Sequence, residues 1–410
     1  MHFPAGLALV LLLAMLSISE ARAGKVATSG CGDGHYDPVP ALMPLKSGPL
    51  ALAKIFCLKI PASNFPVSPP QPSPDHNSVF VFDSIQGLSI TRTGTAAGSQ
   101  QFDGRITAVL PFMGNVPFAW SNDSRSVLGV RQETAKPSGF ALGSLRPFRF
   151  HINGTNEKLA ELSSSAGPLD EIYWIGHTGL AIAAFGTKGA YYRPDHPDLK
   201  PTIAFVDVRA GKVIQSVAIA DVPGLAVKSR INGVASGLDV RGNAYALITI
   251  APNQWLLWNQ GQLPRLVSIG VKPRWTPYAL SPGGKTVLVM RNLSATGVIC
   301  ELNPRCPAPT PQSGAIAELH ELPSGRLLWT LTGTANTFAR SDVPSVSPNN
   351  RFALISMPTG TVALISMTNG AVLQELPKPW TSECAMGFSA DGKTIWISGG
   401  SRIVFYKLIA

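Results

Sequence analysis

One phrase recurs along this chain and limits what it can fold into. It reads apolar, Ser, any residue, Asp/Asn/Gly, Gly/Asn/Ser, Lys/Arg, then closely spaced apolar positions. Copies lie at Trp120–Val130, Leu280–Val289, Val346–Ile355 and Phe388–Ile397. Each sets turn-forming residues between two short apolar runs, the pattern of a β-hairpin. A single hairpin cannot bury its apolar faces. Copies of it can bury them against one another, which points to a stacked repeat such as a β-propeller.

A second hairpin signature alternates with the first. Asp207–Val213, Glu321–Leu327 and Ser366–Val372 each place Gly in a turn before an apolar strand, and Trp258–Leu263 is a shorter variant. Gly suits such turns because it adopts positive φ without a steric penalty. Gly284 precedes Gly325, Asn350 precedes Gly370, and Gly242 precedes Gly261. The resulting unit is strand–turn–strand–loop–strand–turn–strand, a four-stranded blade. First hairpins fall near Asp123, His177, Gly242, Gly283, Asn349 and Asp391, and strands from Phe80 to Ile90 add an incomplete blade. The chain ends in a lone strand, Arg402–Leu408, which calls for an N-terminal strand to complete the last blade. The expectation is an all-β chain with one propeller. It has seven four-stranded blades, with six or eight as alternatives, closed by N- and C-terminal strands. A composition of 14% charged and 45% hydrophobic residues, with 39 Gly and 35 Pro, suits short strands and tight turns.

Ahead of the propeller three zones are read. Residues 1–23 form an apolar run ending in Ala21-Arg22-Ala23, the pattern of a secretory signal peptide. Residues 24–60 form a small N-terminal segment with at most a short helix between Ala41 and Leu58. Residues 61–77 are Pro-dense and read as an extended linker. The propeller is placed at 78–410. Five cysteines suit an exported chain. Cys300 and Cys306 lie close together in a Pro-rich loop and are expected to pair. Cys31 and Cys57 are a second candidate pair, and Cys384 is left over, buried at a strand start. The expected location is periplasmic or secreted, with no transmembrane segment beyond the signal.

The Ser-Pro-Gly-Gly-Lys at 281–285 and Ser-Ala-Asp-Gly-Lys at 389–393 resemble hairpins of the bacterial YVTN and tryptophan–aspartate-like propeller repeat families. The resemblance covers roughly Ser78 to Ala410. It implies the fold and carries almost no information on activity.

The chemical motifs are sparse. Gly387–Thr394 spells the phosphate-loop pattern, but that loop needs a helix behind it and a strand-like run follows. There is no G-x-S-x-G elbow and no C-x-x-C-H haem site. His35 and His76 fall ahead of the propeller, and Trp120, Trp329 and Trp396 are read as packing between blades. A net charge of +10 has no basic run behind it, and nucleic acid is not an expected partner. The loops Tyr191–Pro201 and Asn292–Gln312 interrupt the strand pattern and are the candidate partner-binding segments. Arg193, Asp195, His196, Asn303 and Arg305 are their candidate contact residues. No catalytic, metal or cofactor-binding residue is assigned. The functional expectation is an exported, monomeric propeller that binds or scaffolds a protein or an envelope polymer. The alternative is a propeller enzyme, lactonase-like or a quinone- or metal-dependent oxidoreductase, with its site at the central channel.

Overall fold

A computed structural model of the chain describes residues 42–44, 51–59, 71–83, 87–92, 100–101, 118–132, 145–162, 164, 169–186, 200–225, 231–239, 241–250, 254–270, 278–291, 312–335, 342–378, 384–399 and 402–409. The described residues are all-β apart from one 3-10 turn at Ile219–Asp221. They form a β-propeller.

The chain opens with β1 (Leu42–Pro44) and β2 (Ala51–Lys59). The first four-stranded sheet holds β3 (Gln71–Pro72), β4 (Ser78–Asp83), β5 (Gly87–Arg92) and β6 (Gln100–Gln101). The second holds β7 (Phe118–Trp120), β8 (Ser126–Gln132), β9 (Leu145–His151) and β10 (Asn156–Lys158). The third holds β11 (Leu169–Trp174), β12 (Leu180–Phe185), β13 (Thr202–Asp207) and β14 (Lys212–Ala218). The fourth holds β15 (Ile231–Leu238), β16 (Ala244–Ile250), β17 (Gln254–Asn259) and β18 (Arg265–Val267). The fifth holds β19 (Tyr278–Leu280), β20 (Thr286–Met290), β21 (Gln312–Glu321) and β22 (Leu327–Ala335). The sixth holds β23 (Ser345–Val346), β24 (Phe352–Ser356), β25 (Thr361–Ser366) and β26 (Val372–Pro377). Last come β27 (Cys384–Phe388), β28 (Thr394–Gly399) and β29 (Arg402–Ile409).

The expected seven four-stranded blades are thus corrected to six, the lower alternative. The remaining sheet has five strands, in the order β1-β2-β29-β28-β27. Its edge explains the difference: β29 offers a full row of backbone partners, and β2 takes them antiparallel from Ala51↔Ile409 to Lys59↔Arg402. The short helix between Ala41 and Leu58 is corrected to this hairpin. Pairing with β29 supplies hydrogen bonds that an isolated helix interrupted by Pro44 and Gly48 could not match. The stretch read as linker is also partly strand: Gln71–Pro72 pairs with β4, and His76 lies in the first hairpin. Pro72 is tolerated there because β3 is an edge strand.

The sheets are apolar on both faces because each is sandwiched between neighbours. In β24 and β25, Leu354, Val362 and Leu364 face Met386, Ile395 and Ile397 of the last sheet. The alternate residues Ala353, Ile355, Ala363 and Ile365 face Leu288, Met290 and Leu319 of the fifth. Similar clusters fill each gap from the first sheet to the last. This is why β12, β16 and β24 read as near-continuous apolar runs rather than strict alternations. Between the last sheet and the first, the His76 ring packs 5.3 Å from Phe405 of β29.

The recurrent phrase is a turn held by its own side chains. In Ser389–Thr394, the Ser389 Oγ donates to Asp391 Oδ1 at 2.5 Å and accepts from the Thr394 N–H at 2.8 Å. Asp391 Oδ1 also accepts from the Lys393 N–H at 2.9 Å. The residue between, Gly392, has φ 69°. The same net recurs with Ser73 and Asp75, Ser121 and Asp123, and Ser347 and Asn349. Where Gly392 stands, those copies carry His76, Ser124 and Asn350 at φ 60°, 59° and 55°. The first of them lies in the Pro-rich stretch, where prolines disguise the pattern.

The second hairpins do a different job: each touches the outer strand region of the preceding sheet. The Gly261 N–H donates to Gln215 Oε1 at 2.7 Å. Trp329 covers Gly370 and donates from Nε1 to the Met367 carbonyl at 2.9 Å. A Cβ on Gly325 would sit 1.8 Å from the Ser268 carbonyl oxygen, whereas one on Gly261 would meet open space. Both glycines have positive φ, 69° and 82°. Gly261→Ala therefore costs about 1–2 kcal/mol from backbone strain alone. Gly325→Ala adds a backbone collision and costs clearly more. Urea unfolding of the two variants checks the difference; equal losses would remove the docking role of Gly325.

Candidate functional site

The architecture sorts the loops by face. Hairpins between first and second strands, and between third and fourth strands, share one face. Connections between second and third strands, and from each sheet to the next, share the other. On this second face three sheets have long gaps between their second and third strands. β8 ends at Gln132 and β9 begins at Leu145. β12 ends at Phe185 and β13 begins at Thr202, and β20 ends at Met290 and β21 begins at Gln312. In the first, fourth and sixth sheets the same link is tight, from Asp83 to Gly87, Ile250 to Gln254 and Ser356 to Thr361. The two loops singled out from the sequence therefore leave from the same face.

Arg193, Asp195, His196, Asn303 and Arg305 lie outside the described residues, as do Cys31, Cys300 and Cys306. Cys57 falls in β2, opposite Val404. Cys384 is free and buried at the start of β27, as expected. The Gly387–Thr394 motif is a strand–turn–strand, with β28 following directly. Trp120 does pack between blades, donating from Nε1 to the Gln71 carbonyl at 3.0 Å. Trp396 instead covers Gly387, its partner across the β27–β28 pair.

Beneath the loop-rich face, between the sixth and last sheets, lies a buried polar hub that sequence reading missed. Asp342 precedes β23 and gathers four donors. Its Oδ2 accepts from Ser356 Oγ at 2.5 Å, Lys378 Nζ at 2.7 Å and Cys384 Sγ at 2.9 Å. Its Oδ1 accepts from the Cys384 backbone N–H at 3.0 Å. The Lys378 and Asp342 side chains are only 7% and 4% exposed, so the pair is shielded from water. Burial first, then the Asp342 charge, pushes the Cys384 thiol far above its ordinary range. It is held as a hydrogen-bond donor, the opposite of what a nucleophilic cysteine needs. The hub ties the loop-facing ends of β23, β24, β26 and β27 together.

A second group lies in the fifth sheet. Glu318 accepts from Arg291 at 2.9 Å and contacts His320 Nε2 at 3.1 Å. The other ring nitrogen of His320 lies 3.2 Å from the Gly325 carbonyl. A third feature is a polar hollow of about 420 Å3 on the hairpin face, between the first and second sheets. Asp75, Asp123 and Arg125 line it. Burial opposes ionisation of Asp75, but hydrogen bonds from Ser73, Asn77 and Ser124 outweigh it and hold the carboxyl below the usual range. The Asp123 carboxyl is held low chiefly by Ser121. Both carboxylates thus already serve their own turns. Among the described residues no three of His, Cys, Asp and Glu come together as metal ligands.

No protein-family model matches the chain, and no curated protein sequence matches it significantly.

Two predictions concern the polar groups. Asp342→Ala leaves a buried ammonium and a buried amide unpaired, at a cost of about 3–5 kcal/mol. Lys378→Met removes one donor of four and costs less. Denaturant midpoints give the order, and a larger loss for Lys378→Met would contradict the hub. The second concerns pH. Burial lowers His76 below the ordinary histidine value, against the opposing pull of Asp391 and Asp75. Burial also lowers His177, whose Nδ1 lies 3.2 Å from the Trp120 carbonyl. A folded-state value below the unfolded one gives stability that is complete above the unfolded value and lost as pH falls. The thermal midpoint should therefore fall between about pH 7 and about pH 5. His177→Gln should flatten part of that fall; an unchanged slope would rule the ring out as its source.

Proposed function

We propose that the chain is an exported β-propeller that binds or scaffolds a protein or an envelope polymer through its loop-rich face. One observation carries the reading. The long connections of the second, third and fifth sheets all leave from that face, while the described turns of the opposite face are tight and self-bonded. A rigid ring with its variable segments gathered on one side presents binding residues at low entropic cost. Arg193, Asp195, His196, Asn303 and Arg305 are the proposed contact residues. A Cys300–Cys306 disulfide, and a second one between Cys31 and Cys57, are part of the proposal. So are removal of residues 1–23 as a signal and a periplasmic or secreted location. The hairpin sequences resemble those of the YVTN and tryptophan–aspartate-like propeller repeats, and that likeness bears on fold alone.

The test is mild crosslinking of the tagged chain in its native envelope, followed by mass spectrometry. A reproducible partner is expected, and it should disappear when residues 293–311 are replaced by a short Gly/Ser linker. Retention of the partner by that variant would move binding away from the loop face. Turnover of a small substrate, abolished by a single change on the channel wall, would replace the reading with a propeller enzyme.

A further inference from the structure

Both ring nitrogens of one buried histidine face oxygen atoms. His320 lies in β21, opposite Val287, and its side chain is 4% exposed. Nε2 lies 3.1 Å from Glu318 Oε2, and Nδ1 lies 3.2 Å from the Gly325 carbonyl. The carbonyl has no proton to give. Glu318 has none either, because its other oxygen accepts from the Arg291 guanidinium at 2.9 Å, the pairing of a carboxylate. A neutral imidazole carries one ring proton, so its second nitrogen would turn a lone pair on an acceptor. Only the imidazolium donates to both.

The other ionisable groups around the ring are occupied or exposed. Val287 and Val289, opposite His320 and Glu318, pack toward the fourth sheet, so both polar side chains face that sheet. β16 and β17 carry no charged residue. Arg265 of β18 and Lys285 are exposed, and the Tyr278 hydroxyl of β19 donates to the Leu247 carbonyl. In the hairpin itself, Arg326 and Glu321 pair with each other at the surface.

The bond to Gly325 bears on docking. Gly325 lies in the second hairpin of the fifth sheet, seated against the Ser268 carbonyl just beyond β18. The ring holds the Gly325 carbonyl from within. We propose that His320 is an imidazolium that latches this hairpin against the fourth sheet, and that loss of one ring proton opens the latch. A carboxylate is a stronger acceptor than a carbonyl, so the remaining proton stays on Nε2 and the Gly325 bond is the one lost. The released proton goes to solvent and no covalent bond between heavy atoms changes. The protonated ring is the one that holds the hairpin, so docking is complete at low pH and lost as pH rises. That sign is opposite to the one derived for His76 and His177. The latch is independent of the loop-face reading.

The test joins NMR of the imidazole nitrogens to hydrogen exchange of residues 321–327, both on the full chain. His320→Gln identifies the ring signals. At about pH 6 both His320 nitrogens should carry a proton. The exchange probes are the Glu321 and Gly325 amides, which bond within the hairpin to the Arg326 and Glu321 carbonyls. Between about pH 6 and about pH 9 their exchange, corrected for its intrinsic pH dependence, should quicken at least tenfold. His320→Gln has no ring proton to lose, so its hairpin should be looser throughout and show no such step. A single ring proton at about pH 6 overturns the proposal. So does a parent hairpin equally protected at both pH values, or a His320→Gln chain that shows the same step.

Discussion

Burial of both faces of every sheet is the constraint on which the rest depends. A sheet such as the sixth, with Leu354 and Leu364 on one side and Ile355 and Ile365 on the other, is insoluble alone. It needs a neighbour on each side, and so does each neighbour. A linear stack leaves two bare faces at its ends, whereas a ring leaves none. Closure is therefore as much a requirement of the apolar pattern as the strands are. The His76–Phe405 contact joins the last sheet to the first, and the β2–β29 pairing ties the two ends of the chain into one sheet.

Polar groups serve this frame at two depths. On the hairpin face, the core of each Ser–x–Asp net is completed within six residues. Under the loop face, the Asp342 carboxylate collects donors 14, 36 and 42 residues away and fixes two sheets against each other. An unpaired carboxylate at that depth would be strongly destabilising, so the four donors are the condition of its burial. Rigidity at this depth holds the sixth and last sheets together under the loop face.

Much of the fold was legible because its signals are local. Ser281, Ser347 and Ser389 announce turns whose hydrogen bonds depend on residues at fixed short offsets. Gly325 and Gly370 mark second hairpins for the same reason. The Ser73–Asp75 turn uses an identical net, yet prolines from Pro61 to Pro74 hid it, since proline density ordinarily signals an extended linker. The candidate site was less legible. The loops could be picked out by length, but their common face follows only from strand order. The Asp342 hub leaves no trace in spacing, because its members stand in four different strands or their flanks.

The sequence by itself determined the hairpin unit, its repetition and the all-β class, since turn chemistry and apolar runs act over a few residues. The tertiary structure decided what each edge pairs with. It turned Ala51–Lys59 into a strand because β29 had an open edge, and it gave that sheet five strands rather than four. It also decided that Asp342, Lys378 and Cys384 meet. Pairing and burial join residues far apart along the chain, and no short stretch of sequence contains both partners.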